Sequence, residues 1–82
     1  MEVQYTRKAL RSLARIHRQD AKRVRDAINA YAANPASKEK NVKQLRNSPF
    51  TRLRVGDYRV IMNADGVILE IMDVGHRKDV YR

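Results

Sequence analysis

The chain has 82 residues, which fits one domain, 1–82, with a thin core. It has no cysteine, so disulfide and zinc–thiolate frameworks are excluded, while 43% apolar residues suffice for a folded domain. Lys and Arg number 18 against nine Asp and Glu, a net charge of +9, and a field of that sign draws nucleic acid or an acidic protein.

Val3 and Tyr5 alternate with Glu2 and Gln4, which predicts a short first strand. Thr6 is placed to cap a helix in which Leu10, Leu13, Ala14 and His17 recur at helical spacing, ending near His17. Asp20 reads as the cap of a second helix with an apolar stripe of Ala21, Val24, Ala27, Ile28 and Tyr31. Asn34-Pro35 stops it, because proline cannot continue a helix. Residues 35–49 read as a polar connector with one helical turn around Val42 and Leu45. The period then changes to two. Arg52-Leu53-Arg54-Val55 puts two arginines on one strand face and two apolar residues on the other. Gly56-Asp57 is a turn, Tyr58 to Met62 a strand, Asp65-Gly66 a hairpin signal and Val67 to Val74 a more buried strand ended by Gly75.

Strand, helix, helix, then a three-stranded meander predicts an α+β domain of order β-α-α-β-β-β. Two N-terminal helices pack on one face of a small, mainly antiparallel sheet. The other face stays open and carries Arg52 and Arg54. The excess charge lies elsewhere: residues 1–46 hold twelve bases and four acids, residues 47–82 six and five. MEVQYTRKAL shows no apolar run of a signal peptide, and VILEIM is too short to span a bilayer. The expected setting is the cytoplasm, without membrane contact.

The chemistry permitted is narrow. His17 and His76 share no metal-ligand spacing, the late acids Asp57 and Asp65 sit at turns, and three scattered glycines form no phosphate-cradling loop. No metal or cofactor is expected. An arginine cluster remains. Arg52 and Arg54 share a strand face, Arg59 is on the next strand, and Arg77 follows the last, with Lys78 and Arg82 as further phosphate-binding cations. Guanidinium groups grip phosphate and stabilise transition-state charge, but they are poor proton carriers. Tyr81 or His76 must supply the acid or base. On the residues alone, Arg52 and Arg54 could equally be solvent-facing, Arg59 could pair with Asp57 or Glu70, and Tyr81 could pack under the sheet edge.

YTRKALRSLARI, a second amphipathic helix, LRVGDYRVIM and the ending VGHRKDVYR, in this order, resemble the RelE/ParE toxin family along essentially the whole chain. The basic-plus-tyrosine ending is closer to the RelE branch. The resemblance implies a RelE-like fold and a ribosome-dependent, metal-independent endoribonuclease that cuts mRNA in the ribosomal A site by attack of the 2′-hydroxyl on the adjacent phosphate. It implies Arg59 as phosphate binder, Arg77 as stabiliser of transition-state charge and Tyr81 as base or nucleotide-orienting group, with His76 sharing the proton transfer. It also implies rRNA and mRNA as partners and a cognate antitoxin bound in a hetero-oligomer. Arg52 stands where a lysine is expected and Phe50 where a second lysine often lies, and the Arg77–Tyr81 spacing is shorter than in some members. The alternatives are a ParE-like poison of DNA gyrase and an inactive basic binding module.

Overall fold

The computed structural model describes residues 1–78. A five-stranded sheet in the order β1-β5-β4-β3-β2 is built from β1 (Glu2–Tyr5), β2 (Val42–Gln44), β3 (Thr51–Val55), β4 (Tyr58–Ala64) and β5 (Ile68–His76). Helices α1 (Arg7–Arg15) and α2 (Arg18–Ala33) follow β1, and a 3₁₀ segment, Pro35–Asn41, leads into β2. The expected α+β order is therefore present. All neighbours are antiparallel except β1 and β5, which run parallel.

Each element has a local cause. Thr6 Oγ1 accepts from the Ala9 backbone N–H at 3.1 Å and donates to the Met72 carbonyl at 3.0 Å, so one hydroxyl caps α1 and ties it to β5. The cap of α2 is His17 rather than Asp20. Its Nδ1 accepts from the Gln19 N–H at 3.1 Å, and Asp20 lies inside the first turn, where a carboxylate favours the positive end of the helix dipole. Gly56, at φ 60, makes the β3–β4 turn. At the β4–β5 hairpin Asp65 Oδ1 accepts from the Val67 and Ile68 N–H groups at 2.8 and 2.7 Å. Those backbone bonds hold its carboxyl below the usual carboxylate value.

The connector differs from its expectation. The turn expected around Val42 and Leu45 is a three-residue edge strand, with Lys43 opposite Arg52. Such a strand is too short to show a period, and its hydrogen bonds come from β3 rather than from its own sequence. The β5 strand also runs on to His76.

The core is one-sided. Leu53, Val55, Val60, Met62, Leu69, Ile71 and Val74 of the sheet pack with Ala9 and Leu13 of α1 and Val24, Ile28 and Ala32 of α2. The two helices cover this face, and no charged or polar residue is buried among the described residues. A register shift lies between Ile61 and Met62: Ile61 pairs with Asp73, but Met62 pairs with Ile71. The unpaired Met72 is a bulge in β5. It moves the core positions of β5 from odd to even numbers, from Leu69 and Ile71 to Val74.

Candidate functional site

The face away from the helices carries a cationic patch. Residues directly opposite across a sheet share a face, so the pairing Arg54↔Arg59 places both guanidinium stems side by side. Arg59 also faces Gly75, which offers no side chain. One step along, Lys43, Arg52 and Ile61 form the next row. Arg52 and Arg59 are half-buried and Arg54 is exposed. Like charges directly opposite repel. The ion pairs among the described residues are Lys8–Asp73 and Lys22–Asp26, so neither Arg54 nor Arg59 meets a carboxylate there. Arg59 donates from Nη1 to the Tyr58 carbonyl at 3.3 Å, and its buried Nε has no hydrogen-bond partner among the described residues. An unsatisfied buried donor costs free energy that an incoming anion would recover.

Arg77 extends this end of the sheet: its N–H donates to the Asp57 carbonyl at 2.8 Å, and its side chain is exposed, as is Lys78. Tyr81 and Arg82 lie outside the described residues.

His76 does not join the patch. It pairs with Tyr58, and the two rings meet edge to face with centroids 6.0 Å apart. Tyr58 donates to Asp20 of α2 at 3.0 Å, which fixes both rings on the helix side. Burial, and then the hydrogen bond to the Asp20 carboxylate, hold the Tyr58 phenol above the ordinary tyrosine value. His76 Nδ1 accepts from the Lys78 N–H at 3.3 Å. The histidine therefore lines a separate open cavity of about 570 Å³ between α1 and the end of β5, with Lys8, Ser12, Arg15, His17, Tyr58 and Asp73. In that cavity Asp73 accepts from Ser12 at 2.7 Å and lies 3.6 Å from Lys8 Nζ. Adjacency to Arg77 in sequence suggested one cluster for His76 and the arginines; the alternation of β5 puts them on opposite sides.

Sequence reasoning also passed over an apolar neighbour of the arginines. The Leu45 N–H donates to the Phe50 carbonyl at 3.0 Å, which continues the β2–β3 ladder one pair past Gln44↔Thr51. By alternation this pair shares the face of Lys43 and Arg52. Leu45, Phe50 and Ile61 are half-buried yet not among the residues packed against the core. The signal was the period-two series Phe50, Arg52, Arg54.

Among the described residues no group of three His, Cys, Asp or Glu converges as a metal site, and no helix is long and apolar enough to cross a membrane.

The family model for the ParE toxin of type II toxin–antitoxin systems, parDE, matches residues 3–81. The chain belongs to that family. No curated protein matches the toxin at a significant level. In fold it is similar to RelE toxins crystallised with their antitoxins. Against the RelB–RelE complex from Methanococcus jannaschii the TM-score is 0.75, with 22% identity over 94% of this chain and 93% of that one. Against the RelBE2 complex from Mycobacterium tuberculosis it is 0.65, with 27% identity over 93% and 96%. YafQ from E. coli superposes at a TM-score of 0.78, with 13% identity over 99% and 98%. The RelE/ParE-like fold expected from the motifs is thus shown, and the toxin's family name comes from the ParE branch while these solved structures are RelE and YafQ proteins.

Proposed function

We propose that this toxin is a ribosome-dependent, metal-independent endoribonuclease that cuts mRNA in the ribosomal A site, acts in the cytoplasm and is held inactive by a cognate antitoxin. The observation that carries the reading is the Arg54–Arg59 pair: two cations side by side, without a carboxylate among the described residues, on a sheet face left open by the helices. A protein that needed these side chains only for solubility gains nothing from opposing them. A phosphodiester placed between them neutralises their repulsion and accepts the unsatisfied Arg59 Nε–H.

Arg59 and Arg54 bind the scissile phosphate. Arg77, at the same end of the sheet, stabilises the charge that grows on it as the 2′-oxygen attacks to form a 2′,3′-cyclic phosphate and the 5′-oxygen leaves, taking a proton from water to become the 5′-hydroxyl. Arg52, Lys78 and Arg82 hold the flanking backbone. Tyr81 is the base that takes the 2′-hydroxyl proton, because the His76 ring is on the wrong side of the sheet to reach it. Cations near a phenol favour its ionised form.

The test is primer extension on mRNA translated in a cell-free system containing the purified toxin. Cuts within A-site codons are expected, and they should persist in Arg52→Lys but vanish in Arg59→Ala. Arrested translation with intact mRNA refutes the reading. The ParE name of the matching family model favours a second reading, a poison of DNA gyrase. Gyrase-dependent DNA breaks that survive Arg59→Ala support it.

A further inference from the structure

The open face is not uniformly basic. Its rows, read across the sheet, change character every two residues along the strands, a step of about 7 Å. The first row is Arg54, Arg59 and Gly75, and the second is Lys43, Arg52 and Ile61, whose partner Asp73, beside the bulge, is engaged by Ser12 and Lys8 of α1. The third runs from Leu45 and Phe50 to the pair Asn63↔Glu70 and on to Gln4. Phosphate chemistry in the first row thus gives way to an apolar, partly aromatic floor and then to a polar margin. Gln4 is spoken for, since its Nε2 donates to Glu2 at 2.9 Å. The side chains of Asn63 and Glu70 are half-buried and make no hydrogen bond or ion pair with another described residue.

We propose that Phe50 and Ile61, with Leu45 behind them, form a base-stacking subsite beside the arginine pair. The Asn63–Glu70 pair at its margin selects bases that carry an exocyclic amino group over uracil. The inference rests on the arginine pair holding an RNA phosphate, as argued above, and adds which base lies next to it. The chemistry follows from the order of the rows. A nucleotide whose phosphate is fixed by Arg54 and Arg59 must lay its base one or two rows away. There it meets a half-buried phenyl ring and an isoleucine, the kind of surface on which any base gains by stacking. Glu70 offers only acceptors, which suit the amino protons of cytosine, guanine or adenine. Uracil presents O4 at that position and is repelled. Asn63, with a donor and an acceptor, completes the contact without changing the sign of the preference.

The experiment is fluorescence anisotropy with short single-stranded probes of equal length and charge, made with 2′-deoxyribose so that no cleavage occurs: oligo(C), oligo(U) and an abasic strand. Oligo(C) should bind roughly tenfold tighter than the abasic strand. Phe50→Ala should bring it close to the abasic value, and Phe50→Leu should fall between. Glu70→Gln should equalise oligo(C) and oligo(U), whatever the uniform change that losing its negative charge brings to all three probes. Circular dichroism melts of the Phe50 variants separate lost stacking from lost fold. Equal binding of all three probes by the parent toxin overturns the base subsite but leaves the phosphate site standing, provided that Arg54→Ala still weakens them all. Phosphate binding indifferent to Arg54→Ala and Arg59→Ala overturns both.

Discussion

The two faces of one five-stranded sheet are built from alternate residues of the same strands, yet they obey different rules. On the helix side Leu53, Val60 and Met62 are fully enclosed by α1 and α2, and every fully buried position among the described residues is apolar. On the other side, one residue away along each strand, Arg52, Arg54 and Arg59 are crowded together, and no carboxylate among the described residues pairs with Arg54 or Arg59. The first face lowers the free energy of the fold. The second raises it through like-charge repulsion and a buried unsatisfied donor. A sheet this small tolerates such a face only if something outside the fold compensates it. The difference therefore separates residues that make the structure from residues that use it.

The sharpest way to break this contrast is to truncate neighbours on β3. Leu53→Ala opens a cavity at a fully buried position and should cost about 3–5 kcal/mol, enough to unfold much of a marginal 82-residue domain. Chemical denaturation followed by circular dichroism measures it. Arg54→Ala, one residue on, should leave the melting temperature unchanged or slightly higher. A clear loss of stability in Arg54→Ala would mean that the open face is structural after all. The next effect is catalytic. Arg59→Ala should lower RNA cleavage by about 100-fold or more, the scale set by removing one preorganised charge-stabilising donor, while its melt stays close to that of the parent. Cleavage assayed in a cell-free translation extract reads it, and unchanged cleavage would leave the arginine pair without a catalytic role.

Much of this contrast was legible in the sequence. The strict alternation of Arg52-Leu53-Arg54-Val55 gave the two faces of β3 directly, and the apolar stripes of residues 21–31 showed which face the helices cover. What failed to show were features decided by neighbours in space. β2 is three residues long and exists because β3 offers it hydrogen bonds. The bulge at Met72 shifts the parity of β5, and only that shift brings His76 opposite Tyr58 on the helix side; an unbroken register would leave it on the open side. Read without the bulge, a histidine next to Arg77 looks like part of the arginine site. Phe50 was visible in period with Arg52 and Arg54, but its pairing with Leu45 across the ladder depends on the unseen strand.

Tyr58 tests the boundary between the faces at smaller amplitude. Its ring is on the helix side and its hydroxyl ties β4 to Asp20 of α2. Tyr58→Phe should cost about 1 kcal/mol, the net worth of one hydrogen bond to a charged acceptor discounted for partial exposure. The pH dependence has a definite sign. Because the folded phenol titrates above its unfolded value of 10.0, the unfolded chain gives up its proton first. The stabilisation is complete below about pH 10 and is lost as pH rises through the folded pKa, and Tyr58→Phe should flatten that alkaline loss. Cleavage by Tyr58→Phe should match the parent once stability is allowed for, since its ring faces away from Arg54 and Arg59.

The smallest effect belongs to Asp65, at the hairpin that sets the register of β4 against β5. Its carboxylate accepts from the Ile68 and Val67 N–H groups, and these bonds depress its pKa below the ordinary aspartate value of 3.8. For a group depressed in the folded state, the contribution is present above the unfolded pKa and disappears as pH falls through the folded one. Asp65→Ala should therefore melt slightly below the parent at neutral pH, and the gap should close in acid as the parent's own carboxyl protonates. The hairpin holds the bulged pairing at a distance, so a register slip in Asp65→Ala would bring His76 and Gly75 onto exchanged faces. Native-state hydrogen exchange at β5 would show it as lost protection from Ile68 to His76, and cleavage would fall far more than the melt. Retained exchange protection with a small melting shift is the expected result, because the helix-side core from Leu69 to Val74 fixes the register more firmly than the turn does.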